Sequence, residues 1–348
     1  MTEMNPEGYK LKAVEAWVKD HVQSLSPPFT WTHLPGGHSN LTYQIEDRKG
    51  KLAVIRRPPR GELLPKAHDM SREWALISAL FDTDVPVPEP LGFCEDPSIT
   101  GAWFYIMGFV SGNPLYNADD VHNLVPETNR KRLANSFIDK LAALHSLNPD
   151  EIGLGELGKK EGYIARQVKT WYRSWMSSIE PAQLDDSRAH DLQKFFLDNI
   201  PDQELARVVH GDYGFHNTLV GQDGTITAIV DWEISTLGDP LADLAYALMP
   251  WQTSDISIPR NPEAVTAQFG FPSREYLAER YEKTTSRNLS QLNFYIAFNR
   301  WKSAAIVHGV YARYMANQKS ADGVDLIKMH SDIIGNLEES ERIVDSLP

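Results

Sequence analysis

The sequence is poor in cysteine. Cys94 stands alone among 348 residues, which excludes an intramolecular disulfide and a cysteine-rich zinc site. No apolar run approaches the roughly 20 residues that cross a bilayer, and the opening stretch MTEMNPEGYKLK lacks the apolar centre of a secretory leader. These absences predict a cytoplasmic protein without a membrane partner. Positive charge is scarce too. The formal net charge is −13, whereas contacts to nucleic-acid phosphates need clustered Lys and Arg, so nucleic acid is excluded as the main partner. From Ser111 onward there are 33 Asp plus Glu against 23 Lys plus Arg. That acidity is accounted for by solubility, and it also permits cationic ligands or a divalent metal. Internal repeats and low-complexity tracts are missing, and no feature specifies an oligomeric state.

What is present is a chain long enough for two lobes. Residues 10–24 carry Leu11, Val14, Val18 and Val22 at helical spacing. Three strand-like runs follow: FTWTHL at 29–34, LTYQIED at 41–47 and KLAVIRR at 51–57. They are separated by the turn chemistry of GGHSN and RKG, which predicts an antiparallel meander. A helix is expected at 69–81, then strands in LGFCED and AWFYIMGFV around the turn PSITG. The first lobe (residues 1–108) thus reads as five antiparallel strands with one inserted helix, an α+β arrangement. The remainder (residues 109–348) reads as mostly helical, with helices expected at 129–147, 163–177, 186–199, 241–250, 273–286, 289–317 and 322–343. The interruption is 206–234, which reads as strand, loop, strand, Gly-containing turn and strand.

Within that interruption, VVHGDYGFHNTLV (208–220) places polar residues directly after an apolar strand. A buried carboxylate is costly unless it is paired, hydrogen-bonded or metal-bound, so the stretch is either a solvated turn or a site. Asp212 and Asn217 have the spacing D-x-x-x-x-N, and the following hairpin returns the chain to Asp231. The ends of a hairpin meet, so Asn217 and Asp231 are expected side by side. An amide oxygen beside a carboxylate suits Mg²⁺, a hard cation that takes oxygen ligands and nucleotide phosphates. Asp212 is then placed to accept a proton from an attacking hydroxyl. This division of labour is the one phosphoryl transfer requires. His210 is expected to shape the loop by hydrogen bonding. Asp239 and Asp243 are expected to cap the next helix and brace the loop.

Matching parts occur in the first lobe. The loop GGHSN offers Gly36, Gly37, Ser39 and Asn40 for backbone contact with phosphates, although a hairpin turn explains the glycines equally well. Arg56 ends the third strand, and Glu73 lies in the inserted helix. A strand cation paired with a helix carboxylate is the arrangement that protein kinases use on nucleotide phosphates. Arg57 is a competing cation, but the alternation of a strand turns it to the other face.

The stretches LPGGHSNLTYQI, VIRRPPRG, SREWALISAL, FYIMGFVSGNPL, VVHGDYGFHNTLV, IVDWEISTLGDPLADLAYAL and FNRWKSAAIVHGVYARY together resemble the aminoglycoside phosphotransferase and choline kinase-like family. More narrowly, they resemble the kinase-like domains associated with acyl-CoA dehydrogenases. The resemblance runs from about residue 30 to residue 317. It implies a protein-kinase-like two-lobe fold, and ATP and Mg²⁺ as cofactors. It also implies Asp212 as catalytic base, Asn217 and Asp231 as metal ligands, and Arg56 as the phosphate-holding cation paired to Glu73. Met107, Phe109 and Val110 would form the hinge that meets adenine. Most kinases have Lys where this chain has Arg56, and Arg is a planar fork and not a point charge.

After Asp231 the chain reaches the helix-like DPLADLAYAL with no long activation loop and no A-P-E segment, which favours a small hydroxylated acceptor over a peptide. In the family the acceptor pocket is built from C-terminal helices. Here Phe294, Phe298, Trp301, Tyr311 and Tyr314 recur at helical spacing, with most of them expected in the core. Arg300, Trp301 and His308 on that run, and Tyr213 and His216 on the loop, are candidates to touch the acceptor. Trp171, Tyr172 and Trp175 form a further aromatic patch. The acidic second lobe permits a polycationic aminoglycoside. The dehydrogenase-linked resemblance points instead to a hydroxylated acyl thioester, with RRPPRG (56–61) as the dense basic cluster. The alternative to an enzyme is a nucleotide-binding pseudokinase acting as scaffold or sensor. A protein kinase is a third reading, disfavoured by the missing activation loop.

Overall fold

The structure, a computed structural model, describes residues 6–34, 40–60, 69–254 and 261–347. Period-two alternation builds the first lobe. In β1 (Phe29–His33), β2 (Leu41–Asp47) and β3 (Leu52–Arg57), the residues Phe29, Trp31, Tyr43, Ile45, Ala53 and Ile55 share one face of the sheet. Helix α1 (Leu11–His21) lays Val14 and Val18 on that face and closes a small core. The opposite face carries Val54, Tyr105 and Met107, and merges with the main core alongside α2 (Met70–Leu80). Strands β4 (Pro90–Cys94) and β5 (Phe104–Gly108) complete an antiparallel sheet in the order β1-β2-β3-β5-β4. The segment PSITG, expected as a plain turn, contains a one-turn helix, α3 (Pro97–Thr100). Asp96 caps it and Gly101 ends it at a positive φ.

Helices dominate the second lobe: α4 (Ala118–Leu124), α5 (Glu127–Ser146), α6 (Tyr163–Met176), α7 (Ile179–Ala182), α8 (Ser187–Asp198), α9 (Pro240–Leu248), α10 (Arg274–Thr285), α11 (Leu292–Met315) and α12 (Leu326–Asp345). Apolar spacing predicts all of these except α4 and α7, which are too short to show a period. Four short strands interrupt the helices: β6 (Arg207–Val209), β7 (Thr218–Val220), β8 (Ile226–Ile229) and β9 (Thr236–Gly238). β7 and β8 form the expected hairpin. β6 pairs with β9, a strand not expected from the sequence, because three residues carry too little pattern to be seen. Among the described residues no helix is long and apolar enough to cross a membrane.

Helix α11 is the pillar of this lobe. Phe294, Tyr295, Ile296, Phe298 and Trp301 are buried around it, and it packs on α6, α9 and α12. His308 on the same helix is buried, stacks on Trp175 with ring centres 3.9 Å apart, and its Nδ1 has no hydrogen-bond partner among the described residues. Burial pushes its imidazole from the usual 6.5 down to about 4. The folded value lies below the unfolded one. Stability from this group is therefore full above about pH 6.5 and is lost as the pH falls toward about 4. At about pH 5 the loss relative to about pH 7.5 is about 2 kcal/mol. Replacing His308 with Phe keeps the stack, and is expected to remove about that much of the acid loss. Urea unfolding of both proteins at the two pH values measures it, and an identical pH dependence contradicts it.

Candidate active site

The loop after β6 is fixed from beneath. Asp243, in the first turn of α9, is buried and accepts the backbone N–H of His210 at 2.7 Å and of Gly211 at 2.9 Å. His145 of α5 approaches the same carboxylate at 3.2 Å. Burial alone would raise the Asp243 carboxyl, but His145, His210 and the Gly211 amide hold it below its ordinary value. Asp239 caps α9 through the Leu241 amide and accepts the Tyr295 hydroxyl at 2.6 Å. His210 contacts the Val230 carbonyl at 3.0 Å, and burial lowers its pKa. The sequence-based expectations for His210, Asp239 and Asp243 agree with these contacts. Gly211 adopts φ +85°, and a Cβ there would press on Ile234, so the bend into the next residue needs glycine.

That residue is Asp212. Its Oδ2 accepts from Asn217 Nδ2 at 3.0 Å, and Asn217 Nδ2 also reaches the Asp212 carbonyl at 3.0 Å. Its Oδ1 accepts the Tyr246 hydroxyl and lies 3.3 Å from His216 Nε2. Burial pushes the carboxyl up, and His216 with Tyr246 more than reverses this, so Asp212 sits below its ordinary value. The hairpin register Thr218↔Ile229 and a 2.9 Å bond from the Val230 amide to the Asn217 carbonyl set Asn217 beside Asp231. Asp231 holds φ +65°, a left-handed conformation that Asp tolerates better than most residues.

The first lobe meets this loop through Arg56. Alternation along β3 puts Val54 and Arg56 on the inner face and Arg57 on the outer. Arg57 is buried there on the carbonyls of Gly8, Pro58 and Thr100, as its expected direction requires. Arg56 Nε lies 3.4 Å from Glu73, and its other end bonds Asp231 at 2.7 Å. Glu73 is buried and also accepts from Tyr105 at 2.9 Å and Asn40 at 3.4 Å. Burial raises Glu73, partly offset by Arg56 and Tyr105. Arg56 is held above its usual value because Glu73, Tyr105 and Asp231 outweigh its burial. Tyr105 was missed from the sequence. Its only signal was its register opposite Arg56.

Two clefts adjoin the loop that carries Asp212. One, of about 430 Å³, lies between the lobes and is lined by Val54, Arg56, Met107, Phe109, Val110, Asn217 and Asp231 among others. At its back Gly112 adopts φ +152°, and a Cβ would collide with Thr227 and Leu219 of the hairpin. The second, of about 520 Å³, is lined by Tyr213, His216, Tyr246, Trp251 and residues 261 and 263–266 among others. Tyr116 and His216 border both. Gly36, Gly37 and Ser39 lie outside the described residues. Tyr213 is buried and its hydroxyl is spent on the Phe137 carbonyl, so only its ring meets the second cleft. Trp301, expected at the acceptor, is instead a core residue: position 301 falls on the α11 face that packs on α8, and its indole N–H bonds the Ala189 carbonyl at 3.1 Å. Arg300, expected at the acceptor, is instead committed to the Met249 carbonyl at 2.9 Å and to Asn336 of α12, and lines neither cleft. Tyr246 was not singled out from the sequence, because inside DPLADLAYAL it reads as one more core aromatic.

Among the described residues no group of three or more His, Cys, Asp or Glu side chains forms a metal site. The donor set that is present is one carboxylate and one amide oxygen. Asn217 Oδ1 and Asp231 Oδ2 accept no hydrogen bond from the described residues. A carboxylate and an amide oxygen on one hairpin, without hydrogen bonds from the described residues, fit a hard cation that takes its remaining ligands from phosphate and water.

A five-stranded lobe joined to a helical lobe, with this loop and hairpin, has the protein-kinase-like fold of the aminoglycoside phosphotransferases. Residues 30–279 match the phosphotransferase enzyme family, and the chain belongs to it. It is a family of small-molecule phosphotransferases. The chain is 36% identical over 300 residues to acyl-CoA dehydrogenase family member 11 of Gallus gallus, covering 82% of this chain and 37% of that protein. It thus spans well under half the length of that relative. A provisionally assigned aminoglycoside phosphotransferase from Ralstonia eutropha JMP134 superimposes with a TM-score of 0.83 at 27% identity, covering 98% of this chain and 99% of that one. A spectinomycin phosphotransferase solved with ADP and spectinomycin shares the fold at 13% identity and a TM-score of 0.61, covering 96% and 98%.

Removing one partner of a buried ion pair strands the other. Arg56→Met is expected to destabilise the chain by about 3 kcal/mol, and the double variant Arg56→Met, Glu73→Met to recover most of that loss. Denaturant melts of the single and double variants measure the coupling. Additive losses would remove the Arg56–Glu73 pair from this description.

Proposed function

We propose that the protein is an ATP-dependent phosphotransferase that moves the γ-phosphate of ATP to a hydroxyl of a small molecule. The observation that carries this reading is that Arg56, Asn217 and Asp231 line one cleft, with Asp212 bonded to Asn217 and Glu73 paired to Arg56 behind them. In this reading residues 1–108 hold the nucleotide, and residues 109–348 supply the chemistry and the acceptor site. Met107, Phe109 and Val110 line the cleft and receive the base, and Asn40 supports Glu73. Arg56 exchanges part of its hold on Asp231 for phosphate oxygens. A Mg²⁺ ion held by Asn217 and Asp231 would neutralise charge on the phosphates. Asp212, kept ionised by its neighbours, orients the acceptor hydroxyl and takes its proton as the oxygen attacks phosphorus in line.

The acceptor side is the cleft bordered by His216 and Tyr246. The spectinomycin enzyme, with which the chain shares only a fold, favours an aminoglycoside-like acceptor. The relative named for acyl-CoA dehydrogenases favours a hydroxylated acyl thioester. A cytoplasmic location fits either.

The test is acceptor-stimulated ADP release across a panel of hydroxylated metabolites, aminoglycosides and hydroxyacyl thioesters. Asp212→Asn is expected to lower the stimulated rate by about 10³-fold while leaving ATP affinity within about twofold. Asp231→Ala is expected to abolish the magnesium-dependent rate. Nucleotide binding without any phosphate transfer in the wild-type protein would establish the pseudokinase alternative instead, and near-normal turnover in Asp212→Asn would remove Asp212 as the base.

A further inference from the structure

Behind Tyr246 lies a lysine that neither the motif nor the family match singles out. Lys302, on α11, is more than nine-tenths buried. Its ammonium makes no hydrogen bond or ion pair with the described residues. It rests between two aromatic faces, with Nζ 5.8 Å from the Trp171 ring centre on α6 and 5.4 Å from that of Tyr246 on α9. Ring faces attract a cation, but they replace water poorly: such contacts offset only part of what stripping an ammonium of its hydration costs. Burial accordingly pushes Lys302 below the ordinary lysine value, against the pull of Asp243 and Asp212. Folding has therefore placed a poorly compensated positive charge one side chain away from Asp212, since the Tyr246 hydroxyl donates to Asp212 Oδ1. Tyr246 itself lines the second cleft.

We propose that Lys302, cradled by Trp171 and Tyr246, is an anion receptor in the acceptor site, and that it selects hydroxylated molecules bearing a carboxylate over cationic ones. The inference rests on the phosphotransferase reading and sharpens it. A carboxylate on the acceptor completes the hydrogen bonding that the protein leaves unfinished at Nζ. A polyamine acceptor brings like charge against a buried ammonium in a low-dielectric setting, which opposes binding. The acidity of the lobe as a whole acts at long range and is screened by salt; the charge at Lys302 acts at contact.

Calorimetric titration of the full chain, held with magnesium and ADP, tests this with three probes of equal chain length: a hydroxycarboxylic acid, a neutral diol and an amino alcohol. The hydroxy acid is expected to bind at least about tenfold more tightly than the amino alcohol. Lys302→Met is expected to erase that preference without lowering the melting temperature, because it removes an uncompensated buried charge. Lys302→Arg is expected to retain the preference. Absence of preference in the wild-type protein, absence of binding by all three probes, or a preference that survives in Lys302→Met overturns the inference. Phosphoester formation, followed in parallel, separates it from its parent. Charge-selective binding without transfer leaves the receptor standing and removes the phosphotransferase reading; transfer to the amino alcohol in preference to the hydroxy acid does the reverse.

Discussion

Two backbone amides, those of His210 and Gly211, point at the Asp243 carboxylate, and the loop that follows them takes its course from that contact. The carboxylate is buried, so it persists as an anion only while those amides and His145 face it. Everything downstream inherits this constraint. Gly211 turns at a positive φ, Asp212 follows it, and Asn217, at the end of the 3₁₀ turn Phe215–Asn217, holds the Asp212 carboxylate. The hairpin then sets Asp231 beside Asn217 by register alone. A helix N-terminus thus fixes a site that lies on loops.

Arg56 does for the two lobes what Asp243 does for the loop. It is the inward-facing cation of β3, and it holds Glu73 of its own lobe and Asp231 of the other. An arginine suits this double duty, since its planar fork can meet two carboxylates at once where an ammonium is a single point charge. Arg72 adds a second tie, donating to the Ser235 carbonyl across the lobes. Asp231 consequently has one oxygen taken by a cation from the first lobe and one left open.

Much of this was legible in the sequence. The D-x-x-x-x-N spacing and the hairpin bring Asp212, Asn217 and Asp231 together in the sequence itself, because spacing and turn chemistry are local. Strand alternation separated Arg56 from Arg57 for the same reason. What escaped depends on packing between distant segments. Trp301 and Arg300 were candidates for the acceptor because helical spacing shows that a residue shares a face, but not which neighbour that face meets. Tyr246 and Lys302 were hidden for the opposite reason: in DPLADLAYAL and FNRWKSAAIVHG they look like a core aromatic and an ordinary helix lysine. Only the crossing of α6, α9 and α11 puts Tyr246 on Asp212 and Lys302 behind Tyr246. Likewise β9 has three residues and no visible pattern, yet it anchors the strand that leads into the loop.

The central claim is transfer of phosphate to a carbon-bound hydroxyl at the cleft between the lobes. Phosphorus NMR of the wild-type protein with magnesium, ATP and a hydroxylated acceptor labelled with heavy oxygen at its hydroxyl addresses it most directly. The expected result is a phosphomonoester resonance that grows in step with ADP and carries the isotope shift of the acceptor's own oxygen. ADP accompanied only by inorganic phosphate, or an ester lacking the label, would contradict it.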